Sequence, residues 1–186
     1  MLGLWLFKKL GESLAQENLE IVDIKLFLKN LVLFVFLVAS VLVVAPLVLV
    51  WLSGGLLAFS IGGLRFLGFV LIGVGAFFML NMFFYFASVG KGTPAPFDPP
   101  KKLVTGGLFC FVRNPGYIGG VLIIVGEGVF LEAAVIFGYA VFMWIMFHLY
   151  VVFFEEPSLK EKFGRDYEKY LETVPRWIPR LKRVAE

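Results

Sequence analysis

Long apolar runs separated by short polar connections dominate the pattern of this chain. Residues 31–52, 66–87 and 133–154 form runs of 22 residues each, in which Asn81 and His148 are the only strongly polar side chains. Each run makes about 33 Å of helix, enough to cross the ~30 Å hydrocarbon core of a bilayer. A fourth run, residues 117–131, is shorter. The pattern predicts an all-α polytopic membrane protein with about four transmembrane helices, the last two forming a hairpin that turns near Glu132.

Composition agrees with this pattern. Hydrophobic residues make up 60% of the 186 residues, and charged residues make up 17%, against about 25% in soluble domains. The length predicts a single membrane domain over residues 1–186. Cys110 is the only cysteine, so no intramolecular disulfide can form, and no metal site is predicted.

The distribution of basic residues predicts the orientation in the membrane. Of the 17 Lys and Arg residues, four precede residue 31, one is Arg65, four lie in residues 91–113, and eight follow residue 154. Because basic residues concentrate on the cytosolic side, both termini and the loop at residues 90–116 are expected there. The net charge of +3 is therefore a topology signal and predicts no nucleic-acid partner.

Three segments outside the spans carry most of the polar residues. Residues 1–30 are interpreted as an interfacial segment, with apolar side chains on one helical face. The cytosolic loop at residues 90–116 is rich in proline and glycine, which predicts a mostly non-helical segment. In the cytosolic tail, residues 155–186, apolar residues recur at helical spacing and predict one amphipathic helix. They are Leu159, Phe163, Tyr167, Tyr170, Leu171 and Val174.

The last span ends on two carboxylates, in the stretch HLYVVFFEEPSL. Pro157 lacks an N–H, so the helix is expected to break or kink beside Glu155 and Glu156. His148 lies seven residues before Glu155, which predicts one polar stripe on a shared helical face. The simpler interpretation is that both glutamates flank a span and are solvated among the lipid headgroups.

Two motifs on the cytosolic side change the balance between these interpretations. FVRNPGYIGG and FFEEPSLKEKFGRDYEKYLETVPRWIP resemble the signature of the isoprenylcysteine carboxyl methyltransferase family and its phospholipid-methylating relatives. That signature is Arg-His-Pro-x-Tyr-x-Gly, a helical hairpin, Glu-Glu-x-x-Leu and then Phe-Gly-x-x-Tyr-x-x-Tyr-x-x-x-Val-Pro. The resemblance covers about residues 93–179. Asn114 stands where the family usually has His, and an amide cannot carry a proton near neutral pH.

The resemblance implies an integral-membrane methyltransferase that uses S-adenosylmethionine and acts on an amphiphilic, lipid-like acceptor. It implies candidate catalytic roles for Arg113, Asn114 and His148. The implied cofactor-binding residues are Arg113, Asn114, Tyr117, Gly119, His148, Phe154, Glu155 and Glu156. The carboxylates of Glu155 and Glu156 suit the ribose hydroxyls or the amino group of S-adenosylmethionine, and the guanidinium of Arg113 suits its carboxylate. The aromatic rings of Tyr117 and Phe154 suit its adenine or its sulfonium.

The acceptor and several single residues keep more than one interpretation. A carboxylate acceptor is already ionised at pH 7, whereas an amine acceptor needs a base, for which His148 is the candidate. His148 equally fits an interhelical hydrogen bond. Arg176 fits a pair with the acidic residues or with a lipid phosphate. Glu127 and Glu132 are interpreted as solvated residues at the far end of the hairpin, and Asn81 as an interhelical contact.

Two other functions compete with the methyltransferase. The C-terminal membrane region is also similar to that of sterol-reductase-like enzymes, which use a nicotinamide cofactor. Those enzymes tend to carry an Arg-Asp pair where this chain has Glu155 and Glu156, so the acidic pair favours the methyltransferase. A non-catalytic membrane protein that keeps the same scaffold is the third hypothesis.

Overall fold

The computed structural model describes residue 32 and residues 35–55, 57–90 and 101–180. The chain divides into two units, Met1–Val38 and Ala39–Glu186. The interfacial segment predicted for residues 1–30 lies outside the described residues, as do residues 91–100 of the predicted loop and the last six residues of the tail. The second unit carries every side chain that the sequence marks as a candidate site residue.

Six α-helices order the second unit, within the part of the chain that the structure describes. They are α1 (Ala45–Ser53), α2 (Leu67–Tyr85), α3 (Pro115–Phe130), α4 (Ala134–Tyr150), α5 (Glu156–Phe163) and α6 (Arg165–Thr173). Single turns of π-helix cover Ser40–Val44, Phe86–Gly90 and Val151–Glu155, and 3-10 turns cover Gly62–Phe66 and Gly107–Cys110. The predicted all-α class is confirmed.

Three of the described helices are long and apolar enough to cross a membrane. They are Val35–Ser53, Gly62–Gly90 and Ala134–Phe163. Helix α3 is also apolar but has 16 residues, about 24 Å, as its short apolar run predicts. Many large apolar side chains on the long helices are exposed, including Trp51 and Phe36. Because a bilayer solvates such side chains, this surface fits an integral membrane protein.

Helices α2 and α3 cross where two glycines of one meet two glycines of the other. Gly75 faces Gly119, and Gly68 faces Gly126. A Cβ built on Gly75 would lie 2.5 Å from the Gly119 carbonyl oxygen, and one built on Gly119 would lie 2.6 Å from the Gly75 carbonyl oxygen. Only residues without a side chain allow backbones to approach this closely in a membrane. The crossing fixes α3 against α2 and so positions the N-terminus of α3.

The hairpin between α3 and α4 turns at Glu132, as the sequence predicts. Glu132 has a positive φ of 54°, and its side chain compensates for this strain. Its Oε1 accepts the backbone N–H of Ile61 at 2.8 Å, and its Oε2 lies 3.8 Å from Arg65. Glu132 is therefore a bridge between the turn and the first connection, which corrects its interpretation as a solvated residue.

The sequence predicts a break or a kink beside the two glutamates. Helical geometry continues through both of them, so the helix does not break there, and a π turn precedes Pro157 instead. Glu155 and Glu156 both have right-handed helical dihedrals. The backbone N–H of Glu156 donates to the carbonyl of Val151, five residues back. This wider π turn gives the pyrrolidine ring the space that an α turn lacks, and Pro157 then occupies the first turn of α5.

The tail forms two short helices where the sequence predicts one. Gly164 ends α5 with φ 53° and ψ −128°, a conformation that favours glycine. Tyr167, Tyr170 and Val174 nevertheless form one buried cluster, against which Leu159 and Phe163 of α5 pack. The predicted apolar residues do share one face, but a change of direction between the helices brings them together, and Val174 lies just beyond α6.

Candidate functional site

Glu156 lies between two arginines that come from distant parts of the sequence. Its Oε1 accepts Nη1 of Arg113 at 2.8 Å and Nε of Arg176 at 2.7 Å. Its Oε2 accepts Nη2 of Arg176 at 2.9 Å. The side chains of Arg113 and Glu156 are only 11% and 12% exposed, so these charge-assisted bonds are poorly screened. The pairing that the sequence allowed between Arg176 and the acidic residues is therefore confirmed.

Backbone contacts hold both arginines in place. The backbone N–H of Arg113 donates to the Pro175 carbonyl at 2.9 Å. Asn114, which is buried, donates from Nδ2 to the Arg176 carbonyl at 3.2 Å. The segment at residues 175–177 thus lies directly on the residues that precede α3. Asn114 takes a structural part in this contact, which an amide can do without the proton transfer that an imidazole would allow.

The second glutamate pairs with the first turn of α3. Tyr117 donates its phenol to Oε2 of Glu155 at 2.8 Å, and its ring lies 4.9 Å from that of Phe147 on α4. Pro115 begins α3 and places Tyr117 in the first turn, facing the end of the π turn. The hairpin therefore brings Glu155 beside Tyr117 and brings Glu156 beside Arg113.

His148 has a hydrogen-bond partner on the tail rather than on the predicted polar stripe. The indole Nε1–H of Trp177 donates to Nδ1 of His148 at 3.0 Å. Trp144 stacks on the imidazole from one helical turn earlier, with ring centroids 5.8 Å apart. The π turn between His148 and Glu155 shifts the register that the stripe assumed. Trp177 is a residue that sequence reasoning missed, although its position beside Arg176 in VPRWIP is a usable signal.

The described part of the loop and the tail form one cover over this end of the hairpin. Tyr170 donates to the Phe109 carbonyl at 2.8 Å, and Arg180 donates from Nε and Nη2 to the Cys110 carbonyl. Burial and the nearby Glu156 raise the pKa of Tyr167 to about 12. Burial also raises the pKa of Tyr170. A phenol is protonated at neutral pH even at its ordinary pKa of about 10, and these shifts keep both side chains hydrogen-bond donors at higher pH as well.

We call the hydrogen-bonded group of Arg113, Tyr117, Glu155, Glu156 and Arg176 the polar cluster. Two of the predicted site residues lie apart from it. Phe154 is 67% exposed and stacks on Tyr150, with centroids 5.9 Å apart. Gly119 lies at the crossing of α2 and α3, where its missing side chain allows the contact with Gly75. The structure thus gives Gly119 a packing role, and this role does not depend on which ligand the protein binds.

An apolar cavity of about 260 Å³ lies between α3 and α4. We call it the hairpin groove. Its lining residues are Val121, Val125, Phe137, Ala140, Val141 and Trp144. Trp144 lines the groove, and its ring also stacks on the imidazole of His148. A purely apolar lining of this kind suits a hydrocarbon chain.

Known proteins are similar in sequence to this chain. Residues 64–166 match the model of the phospholipid methyltransferase family. Over 79 residues the chain is 37% identical to protein-S-isoprenylcysteine O-methyltransferase B of Arabidopsis thaliana, covering 42% of this chain and 40% of that protein. Over 84 residues it is 31% identical to a probable protein-S-isoprenylcysteine O-methyltransferase of Oryza sativa subsp. indica, covering 45% and 44%.

The chain spans about two fifths of the length of the curated relatives it matches. The family match is broader, since it covers more than half of the chain and includes Arg113, Tyr117 and both glutamates of the polar cluster. The resemblance that the two motifs indicate is therefore confirmed. The chain belongs to the phospholipid methyltransferase family.

Proposed function

We propose that this chain is an integral-membrane methyltransferase that moves a methyl group from S-adenosylmethionine to a lipid-like acceptor. The observation that carries the proposal is the cluster of Arg113, Glu156 and Arg176, with Glu155 and Tyr117 beside it. Arg113 and Tyr117 come from the first part of the motif, the two glutamates come from the second, and Arg176 directly follows the third. Their convergence at one end of the hairpin supports a ligand site better than the solvated flank of a span.

The cluster fits the polar groups of the methyl donor. The guanidinium of Arg113 suits the donor carboxylate. Glu155 suits the ammonium or the ribose hydroxyls. Tyr117 suits the adenine or the sulfonium better than Phe154, which faces outward. When bound, the donor supplies an electrophilic methyl group, and the chain aligns the acceptor and excludes water.

The lysine and arginine distribution supports a cytosolic position for both termini and for the cluster. The tail and the described half of the loop carry many basic residues, whereas Arg65 is the only one near the opposite end. A membrane-impermeant thiol reagent is added to the outside of cells that carry a cysteine at residue 186. We expect this cysteine to react only after the membrane has been permeabilised. If the cysteine at residue 186 were labelled in intact cells, the C-terminus would lie on the outer side of the membrane, opposite to the proposed orientation.

We propose that the hairpin groove takes the hydrocarbon chain of the acceptor, because its lining is apolar and includes Trp144, which stacks on His148. Val141→Trp places a large ring in the groove. It should raise KM for the lipid acceptor at least about tenfold, because about two methylene groups of the acceptor chain would no longer be buried in the groove. The affinity for S-adenosylmethionine should stay unchanged.

Phe142→Trp is the matched control, because Phe142 is on the same helix, is similarly exposed and does not line the groove. It should leave both constants unchanged. An equal effect of the two substitutions, or a Val141→Trp variant with normal acceptor kinetics, would place the chain of the acceptor elsewhere.

The experiment that tests the function uses purified protein in detergent with S-adenosylmethionine labelled on its methyl group. Two acceptors are offered separately: a prenylated cysteine with a free carboxylate, and a phospholipid with a primary amine. We expect label in the organic phase with one of them, and loss of that label with Arg113→Ala. Absence of transfer to both acceptors, with the cofactor bound, would favour a non-catalytic role.

A further inference from the structure

The imidazole of His148 makes a hydrogen bond that determines which of its nitrogens carries a proton. Trp177 donates its indole N–H to Nδ1 of His148 at 3.0 Å. An indole nitrogen is only a donor, so Nδ1 must be the unprotonated, accepting nitrogen. The proton of the neutral ring is then on Nε2.

Two aromatic rings also restrict how the imidazole can turn. The ring of Trp144 lies 5.8 Å from it at an interplanar angle of 23°, and the ring of Trp177 lies 6.0 Å from it. The two indoles are themselves 6.3 Å apart. Stacking by Trp144 on α4 and the hydrogen bond from Trp177 on the tail thus hold the imidazole from two different elements.

Trp177 connects this imidazole to the polar cluster. It follows Arg176, which binds Glu156 through its side chain and Asn114 through its carbonyl. The preceding carbonyl, that of Pro175, accepts the N–H of Arg113. Residues 175–177 therefore contact Arg113, Asn114, Glu156 and His148 within three positions. Any shift of this segment changes the cluster and the imidazole together.

We propose that Trp177 is a positioning residue that holds His148 as the Nε2–H tautomer, so that His148 serves the site as a hydrogen-bond donor and not as a general base. A donor at Nε2 suits an oxygen or nitrogen lone pair on the substrate. It cannot remove a proton while Nδ1 is engaged. The role toward a substrate rests on the proposed function, whereas the tautomer is a property of the chain alone.

The tautomer can be read directly because His148 is the only histidine. Protein labelled with ¹⁵N-histidine is measured by NMR at a pH at which the ring is neutral. We expect one protonated nitrogen, assigned to Nε2, and one unprotonated nitrogen, assigned to Nδ1. Trp177→Phe should keep the ring contact but produce a mixture of tautomers. Trp144→Phe is the matched control and should keep the single tautomer, because Trp144 stacks without donating to Nδ1.

A protonated Nδ1 in the wild-type protein would overturn the proposal, as would a Trp177→Phe variant with an unchanged tautomer. These outcomes do not depend on methyltransferase activity. If the protein transfers no methyl group but shows the expected tautomer, the proposed function fails and the positioning by Trp177 stands.

Kinetics of two His148 variants test the donor role itself. His148→Gln keeps an amide N–H that can reach the position of Nε2, and should keep kcat within about threefold. His148→Met has no donor and should lower kcat about tenfold, the effect of one lost hydrogen bond. If the ring were a general base, both variants would lose activity equally, and equal loss would contradict the donor role. Full activity in both variants would also contradict it.

Discussion

Glu156→Ala is expected to lower the free energy of unfolding by about 3 to 5 kcal/mol, the usual cost of removing one member of a buried ion pair. The reason is that Arg113 and Arg176 would face each other without the carboxylate that now lies between them. Arg176 is 30% exposed and can turn toward water, so the unpaired Arg113 accounts for most of the loss. Thermal unfolding in detergent measures the effect as a lower melting temperature.

A control and a compensating change make this prediction specific. Glu161→Ala removes an exposed glutamate from the same helix, α5, and should leave the melting temperature nearly unchanged. Adding Arg113→Met to the Glu156→Ala variant should recover part of the lost stability, because it removes the unpaired buried cation. If Arg113→Met lowered the melting temperature of the Glu156→Ala variant as much as it lowers that of the wild-type protein, the two side chains would not be coupled.

Gly75→Ala is expected to cost about 1 to 3 kcal/mol, the typical penalty for forcing atoms into a well-packed contact. Its new Cβ would lie 2.5 Å from the Gly119 carbonyl oxygen and 2.8 Å from Cγ1 of Ile123. A backbone carbonyl cannot rotate away, so α2 and α3 would have to separate. We expect a lower melting temperature. We also expect weaker cofactor binding, because Tyr117 lies on α3 and its contact with Glu155 depends on the position of that helix.

Gly73→Ala is the matched control for this substitution. Gly73 lies two residues earlier on α2, and a Cβ built there meets no atom within 4 Å. Its replacement should leave the melting temperature unchanged or raise it slightly, because alanine favours the helix over glycine. Equal melting temperatures for the two variants would show that the crossing tolerates a methyl group and would contradict its tight geometry.

The hydrophobic pattern predicts the helices well because the bilayer itself imposes that pattern. A spanning segment must satisfy its backbone hydrogen bonds internally and expose apolar side chains to lipid, so length and hydropathy are enough to locate it. The hairpin turn at Glu132 is predictable for the same reason, since a charged residue separates two apolar runs. The motif similarly predicts that Arg113 and the two glutamates belong to one region.

Other features depend on contacts that no local pattern reports. The π turn at Val151–Glu155 changes the helical register between His148 and Glu155, and a stripe counted at α-helical spacing does not include that change. The bond between Trp177 and His148 joins residues 29 positions apart and exists only because the tail folds back on the hairpin. Gly164 was a readable helix stop, but the apolar spacing that continues across it predicted a single helix.

A calorimetric titration of the purified protein with S-adenosylmethionine and, separately, with a reduced nicotinamide cofactor tests whether the polar cluster binds the methyl donor. We expect saturable binding of S-adenosylmethionine and no binding of the nicotinamide. Glu155→Gln should weaken the binding of S-adenosylmethionine by about 10- to 150-fold, the effect of one lost charge-assisted hydrogen bond. Binding of the nicotinamide in place of S-adenosylmethionine, or equal binding of S-adenosylmethionine by wild type and Glu155→Gln, would contradict the assignment of the polar cluster as the methyl-donor site.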